Sequence, residues 1–552
     1  RVLFRSDWQA AYQAQTLAVV SLESMRNQVA PDSRIILTRA GRKTYEQAIS
    51  LAFEMAEELN EDSLFEKAFT WTEAAKSFEF RMNLEDAQAT IQAGASDSLT
   101  RKGRALKLAR NYYQNKLKSL QLNPLKDSAH IAETEKKLLT SQQSLRNWEE
   151  NMKDNIPLEL YNNQPESLTA SQVSQNLQPS EALLSFFYGD SAVYAFLVKP
   201  DGLQARRIGS RMEMDELLRP LLDNLAKPGS LEDFLVPSRA TYQTTFEDFD
   251  VEGIASFMIC PDGLLGYLPF SCLVTEETSS ESATSSQIFR GLPYFQNKYA
   301  SRYAYAAALH FSEPKTKGKH RLMAFAPSYS GVLKLAFNLP QAEVVANLWD
   351  GQIVRADEAQ ESRFREMMND YEIIHLAQHA EANTEQPLAS RLLFSESNET
   401  APEKDGYLHA YEIYALNIPA QLVVLSSCES GYGPLAKGEG VMSLARAFRA
   451  AGAQSVLNTN WKVDGRVGLE LMETFYSQLL EKMPPSQALA HAQRTFLASA
   501  APELVHPHYW AAFTLVGSDA PVQKPSSSMI YWIIGLVALA GGVAYWRFAS
   551  SR

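Results

Sequence analysis

Residues 371–380 read YEIIHLAQHA and residues 422–433 read LVVLSSCESGYG. Each opens with a short apolar run and then turns to small and polar residues, one carrying a histidine and the other a cysteine. Runs of this length fit strands buried on both faces, as in a parallel sheet covered by helices. Six further runs share the texture: ALLSFFY (182–188), AVYAFLV (192–198), IASFMIC (254–260), LMAFAP (322–327), SVLNT (455–459) and AAFTLVG (511–517). Helical spacing occupies 342–348, 358–368, 440–451 and 469–480 between the later runs. The alternation predicts an α/β fold on a mostly parallel sheet, spanning residues 161–519.

Before residue 160 the texture is helical. Tyr45, Ala48, Ile49 and Ala52, then Phe65, Ala68, Phe69 and Thr72, recur at steps of three and four. The aromatic-x-x-Ala spacing lets neighbouring helices approach closely, and residues 1–97 read as tetratricopeptide-like repeats. An unrelated helical bundle is the other reading of this spacing. Leu106, Ala109, Tyr113, Leu117 and Leu120, followed by Ile131, Leu138, Leu145, Trp148 and Met152, predict a long helical hairpin over 98–160 that turns near Pro124. The stretch 276–287 reads as a polar loop.

After a linker at 520–528, residues 529–548 open with MIYWIIGLVALAGGVAYW and carry no charge until Arg547. That length matches a hydrocarbon core of about 30 Å, and the aromatic residues at both ends favour its interfaces. The expectation is a single-pass membrane protein anchored by this C-terminal transmembrane helix. Arg547 and Arg552 beyond it, against Lys524 before it, favour a cytoplasmic C-terminal end.

The chain has 552 residues, with 52 Lys and Arg against 64 Asp and Glu, a formal net charge of −12. The acidic balance, with no contiguous basic stripe, excludes nucleic acid as the main partner. Three cysteines, Cys260, Cys272 and Cys428, exclude a disulfide framework and a four-thiolate zinc site. Cys260 and Cys272 lie in or beside apolar runs and read as packing thiols.

In a doubly wound sheet, ligands bind beyond the carboxyl ends of the strands. His379 and Cys428 both lie just past such runs, and neighbouring strands would bring them to one edge. A thiol is mostly protonated at neutral pH, and an imidazole beside it can take the proton and return it to a leaving amine. The backbone N–H groups of Cys428 and of Ala380, the residue after the histidine, are natural oxyanion donors. Spacing alone leaves Cys428 open to a second reading, as a small core hydrophobe. His375 lacks the Glu of an HExxH site and sits in a strand pattern, so it reads as structural, and neither a metal nor a cofactor is implied. Glu429, Trp461 and Asp464 are candidates for the substrate pocket. Asp464 is equally suited to cap the helix that follows, and Glu439 is a further acidic candidate.

The strings YEIIHLAQHA, LVVLSSCESGYG, GEGVMSLARAFRAAGAQSVLNTNWKVD and HPHYWAAFTLVGSD, with ICPDGLLGYLPFSCL at 259–273, resemble the CHAT domain family of caspase-like cysteine proteases. The family is related to caspases and separases and is often fused to tetratricopeptide arrays. The resemblance implies a caspase-like sheet with His379 as general acid/base and Cys428 as nucleophile, a protein substrate, and a partner or activator on the helical repeats. The family usually has Gly after the histidine, where this chain has Ala380. A backbone needing φ above zero would be costly there. A catalytically inactive scaffold for protein assembly at the membrane is therefore the alternative expectation.

Overall fold

The computed structural model describes residues 5–28, 31–77, 80, 97–122, 128–153, 167–277, 284–311, 320–331, 334–395, 405–426, 430–436 and 440–522. In chain order the described strands are β1 (Glu181–Tyr188), β2 (Ala192–Lys199), β3 (Gly202–Ser210), β4 (Ser256–Cys260), β5 (Ala300–Tyr303), β6 (His320–Ala326), β7 (Gln352–Arg355) and β8 (Tyr371–Leu376). They continue as β9 (Ala380–Glu381), β10 (Arg391–Leu393), β11 (Tyr407–His409), β12 (Leu422–Leu425), β13 (Leu435–Ala436), β14 (Gly440–Val441), β15 (Ser455–Thr459) and β16 (Phe513–Gly517). Eleven of them form one sheet in the order β3-β2-β1-β4-β5-β16-β15-β12-β8-β6-β7, with smaller sheets β11-β10-β9 and β13-β14 beside it.

All eight apolar runs are strands of the large sheet. It is antiparallel at β1–β2, β2–β3 and β15–β16 and parallel at its other junctions. Strands β1, β2, β8, β12 and β15 are buried at every position, which is why their sequences do not alternate. The sheet has two halves that meet where Tyr303 of β5 lies opposite Val516 of β16. Five strands, β3 to β5, lie on one side of this seam and six, β16 to β7, on the other.

Helices cover both faces of the six-stranded half. Val345 and Trp349 of helix Asn338–Trp349, with Leu471 and Phe475 of helix Gly465–Leu480, join Ile373, Leu422 and Leu457 in one core. On the opposite face Phe364, Leu444 and Phe448 meet Ile374, Val423 and Val456. The core residues thus alternate between the faces along each strand.

The N-terminal helices Arg5–Gln28, Pro31–Leu59 and Ser63–Ala74 form the lid of the five-stranded half. Tyr45, Ile49, Phe53 and Phe69 share a core with Phe187, Tyr194, Phe196 and Met258, with the Phe53 and Tyr194 ring centroids 4.6 Å apart. Polar groups seat the helices. Arg42 pairs with Asp262, and Glu46 accepts from the N–H groups of Asp190 and Ser191 at 2.8 and 2.6 Å. Lys76 bonds Glu73, Ser185 and the Cys260 carbonyl. Burial alone would raise the Glu73 carboxyl, but Lys76 and the Ser185 and Ala307 hydrogen bonds outweigh it and hold the group below its ordinary range. The hairpin consists of Asp97–Leu122 and Ser128–Lys153. Gly103 lets it close, since a Cβ there would stand 2.3 Å from the Trp148 ring.

The expected membrane anchor requires correction. No helix among the described residues is long and apolar enough to cross a membrane, and the expected span at 529–548 lies outside those residues. Long helices such as Pro31–Leu59 and Ser128–Lys153 carry charges along their length, and each such side chain would have to leave water to enter hydrocarbon. Among the described residues the fold is therefore α/β with no transmembrane helix, and the single-pass membrane placement is withdrawn.

Candidate active site

Strands β8 and β12 are parallel neighbours, with Leu376 opposite Leu425. His379 stands three residues beyond Leu376, and in sequence Cys428 stands three residues beyond Leu425. Ser427, Cys428 and Glu429 lie outside the described residues, as does Glu439. His379 is half-buried, and its ring meets the ring of Tyr329 edge-on, with centroids 4.8 Å apart.

Tyr329 comes from the loop past β6, the other neighbour of β8. Its hydroxyl accepts from the His379 N–H at 3.2 Å and donates to the Leu393 carbonyl at 2.6 Å. The Leu393 N–H in turn donates to the His379 carbonyl at 3.0 Å. The phenol is thus inserted into one rung of the ladder between the histidine segment and β10. Burial pushes its pKa up, so it stays protonated and able to donate. Nothing in the sequence marks Tyr329, which lies in an ordinary polar turn, APSYSG, fifty residues before its partner.

Ala380, the first residue of β9, pairs with Leu392 of β10 and is not among the residues with positive φ. The strain expected for a non-glycine residue here is absent. Next to the hydrogen-bonded His379–Leu393 rung, Ala380–Leu392 is a non-hydrogen-bonded pair, so the Ala380 N–H points away from β10.

Ser430, two residues after Cys428 in sequence, is buried. Its Oγ donates to the Leu425 carbonyl at 3.2 Å and accepts the Thr459 N–H at 3.1 Å, lacing the ends of β12 and β15 together. Gly431 and Gly433 follow because nothing larger fits. A Cβ at Gly431 would lie 1.9 Å from the Asn458 amide, and one at Gly433 would lie 1.9 Å from the Met442 carbonyl oxygen. The Tyr267 hydroxyl donates to the Gly433 carbonyl at 2.6 Å, which ties this segment to the five-stranded half.

His375, inside β8, is fully buried. Its Nδ1 lies 3.0 Å from the Tyr476 hydroxyl and its Nε2 lies 3.2 Å from Gln341 Oε1. Burial pulls its pKa down to about 3, so it is a neutral core histidine with both nitrogens engaged. Trp461 is buried, stacks on His508 and donates to the His508 carbonyl at 2.7 Å. Asp464 is exposed and caps helix Gly465–Leu480, its Oδ1 accepting from Arg466 N–H at 2.8 Å and Val467 N–H at 3.4 Å. These contacts occupy both residues with packing and capping. Cys260 and Cys272 are fully buried, and burial drives both thiols well above their ordinary pKa.

Strands β6 and β8 thus present a tyrosine-braced imidazole at the sheet edge where the neighbouring strand β12 also ends. The CHAT domain model matches residues 215–518, more than half of the chain, and the chain belongs to the CHAT domain family. Tetratricopeptide repeat protein 28 of Mus musculus and that of Homo sapiens are each 38% identical to it over 126 residues. That stretch is 23% of this chain and 5% of either relative, so the chain spans a small part of the length of the curated relatives it matches. Among solved structures, the Arg-specific cysteine proteinase gingipain R is 8% identical, with 57% of this chain and 77% of that one covered and a TM-score of 0.32. The Saccharomyces cerevisiae separase–securin complex is 9% identical, with 93% and 46% covered and a TM-score of 0.36.

Proposed function

We propose that the protein is a cysteine endopeptidase in which Cys428 attacks the scissile carbonyl and His379 takes the thiol proton and returns it to the leaving amine. The observation that carries this reading is the register of Leu376 with Leu425, which gives His379 and Cys428 the same offset past adjacent parallel strands. Membership of the CHAT family supports it, and so does the Ala380 N–H, which is directed away from β10 and suits an oxyanion donor. Regulation by a protein partner on the N-terminal helices belongs to the same reading. Arg42 of those helices holds Asp262, at the head of the Gly263–Tyr267 turn, and Tyr267 holds Gly433.

The test is turnover of a protein or peptide-library substrate by the full chain, by Cys428→Ala and by His379→Ala. Cleavage should vanish in both variants while their unfolding transitions match that of the parent. Undiminished cleavage in Cys428→Ala would rule the reading out. An inactive scaffold is the competing account, but the backbone strain at Ala380 that favoured it is not present.

A further inference from the structure

Where the two half-sheets meet there is a cavity of about 60 Å³, well above the roughly 10–15 Å³ that one water needs, so it admits water or one small group. Three parts of the molecule wall it. Ser77 comes from the end of the N-terminal helices, Tyr305 from beyond β5, and Gly431, Val441 and Asn458 from around β12, β14 and β15. Asn458 is only 2% exposed. Its Nδ2 donates to Thr514 Oγ1 at 3.1 Å and lies 3.4 Å from Asn460 Oδ1, whereas its Oδ1 is buried without a hydrogen-bond partner among the described residues. A buried acceptor left unmade costs about 1–3 kcal/mol, and here it belongs to a residue that walls a space able to hold a donor.

The chemistry of the walls restricts the occupant. Asp262, the acidic wall residue, is already committed to Arg42 and to the N–H groups of Tyr188 and Gly263. Arg446, beneath Tyr305 with its guanidinium 5.3 Å from that ring, disfavours a cation. Val441 and Val516 supply apolar surface. The geometry points to a ligand site for a neutral group bearing N–H donors on a short apolar stem, a primary amide above all, with its N–H directed to Asn458 Oδ1. The same chemistry is available from a free small amide or from an Asn or Gln side chain of a bound peptide. Gly431 lies three residues past Cys428 in sequence, so the alkylation rate of that thiol is the readout of coupling between the cavity and the thiol. That coupling, though not the binding, rests on the dyad reading above.

The experiment uses the full chain with labelled valine methyl groups, titrated with propionamide. The Val441 and Val516 resonances should shift saturably, N,N-dimethylpropionamide and propionate should leave them in place, and Asn458→Leu should weaken propionamide binding at least tenfold. Val441→Phe, at a position on the cavity rim, fills the space without touching the amide network and should abolish the shift even if Asn458→Leu proves unstable. Shifts that fail to saturate, or that survive in the folded variants or with the dimethyl amide, would overturn the site. A glutamine tripeptide binding tenfold more tightly than propionamide assigns the site to a peptide, and equal affinities assign it to a free amide. At saturation the rate of Cys428 alkylation should change at least threefold while that of Cys260 does not. An unchanged rate beside intact methyl shifts would overturn the coupling and leave the site standing.

Discussion

Strands β4 and β12 are both apolar, buried and followed by a glycine-bearing turn, yet their cysteines stand at different places along the chain. Cys260 is the last residue of β4 and fully buried, and burial raises its thiol far out of the reactive range. Cys428 falls three residues past the end of β12. The polar groups near β4 are consumed in docking the N-terminal helices, Asp262 by Arg42 and Ser185 by Glu73 and Lys76. Past β8, in the six-stranded half, the polar groups instead brace one imidazole. On the proposed reading, a thiol's position relative to the strand end separates packing from chemistry in two half-sheets of similar make.

The substitution expected to have the largest effect breaks the comparison outright. Cys428→Ala should abolish peptide turnover with no change in the unfolding midpoint, whereas Cys260→Ala should leave turnover intact and cost about 1–2 kcal/mol of stability through a small core cavity. Next is Arg42→Leu, which leaves Asp262 charged and buried in the five-stranded half. Urea unfolding should show a loss of about 3–5 kcal/mol, the usual cost of removing one partner of a buried pair.

Tyr329→Phe sharpens the six-stranded side by removing the hydroxyl between His379 and Leu393. Turnover should fall about tenfold, equivalent to about 1.4 kcal/mol, and the acid limb of the pH–rate profile should move. A purely packing role would lower stability without shifting that limb.

The smallest effect concerns the ionisation of Glu361 and Glu412, which share Arg365. Burial raises their pKa values to about 7 and about 8 respectively. Both folded values exceed the ordinary carboxyl value, so the folded state retains protons that the unfolded chain releases. The associated stability is complete below about pH 4.5 and is lost as pH rises through 7 to 8. Glu412→Gln should therefore stabilise the protein by about 1 kcal/mol at pH 8.5 and change little at pH 5, as read by thermal unfolding at the two pH values.

How far these features can be read in the chain depends on how local their causes are. The eight apolar runs are strands because each is buried by its own composition. Strand β3 carries no apolar run, because it is an edge strand with exposed Arg206 and Arg207, in keeping with the charge that edges carry. Strand β5 reads ASRY, and its buried Arg302 is tolerated through Glu181 of β1 and the Gly517 carbonyl, partners more than a hundred residues away. His379 is legible as a candidate site residue past a strand. Tyr329 and Tyr267 are not, since each acts through one hydroxyl on backbone that only the folded sheet brings near. The capping role of Asp464 was legible, whereas the seat of Trp461 on His508 depended on a contact across the fold.

The most direct test of the central claim is the pH dependence of iodoacetamide alkylation at each cysteine of the full chain, followed by mass spectrometry. Cys260 and Cys272 serve as buried references within the same molecule. The account predicts that Cys428 reacts rapidly well below pH 8 and loses that advantage in His379→Ala, while the two references stay slow throughout. A Cys428 that titrates near 8.5 like a free thiol, and does so equally with and without His379, would contradict it.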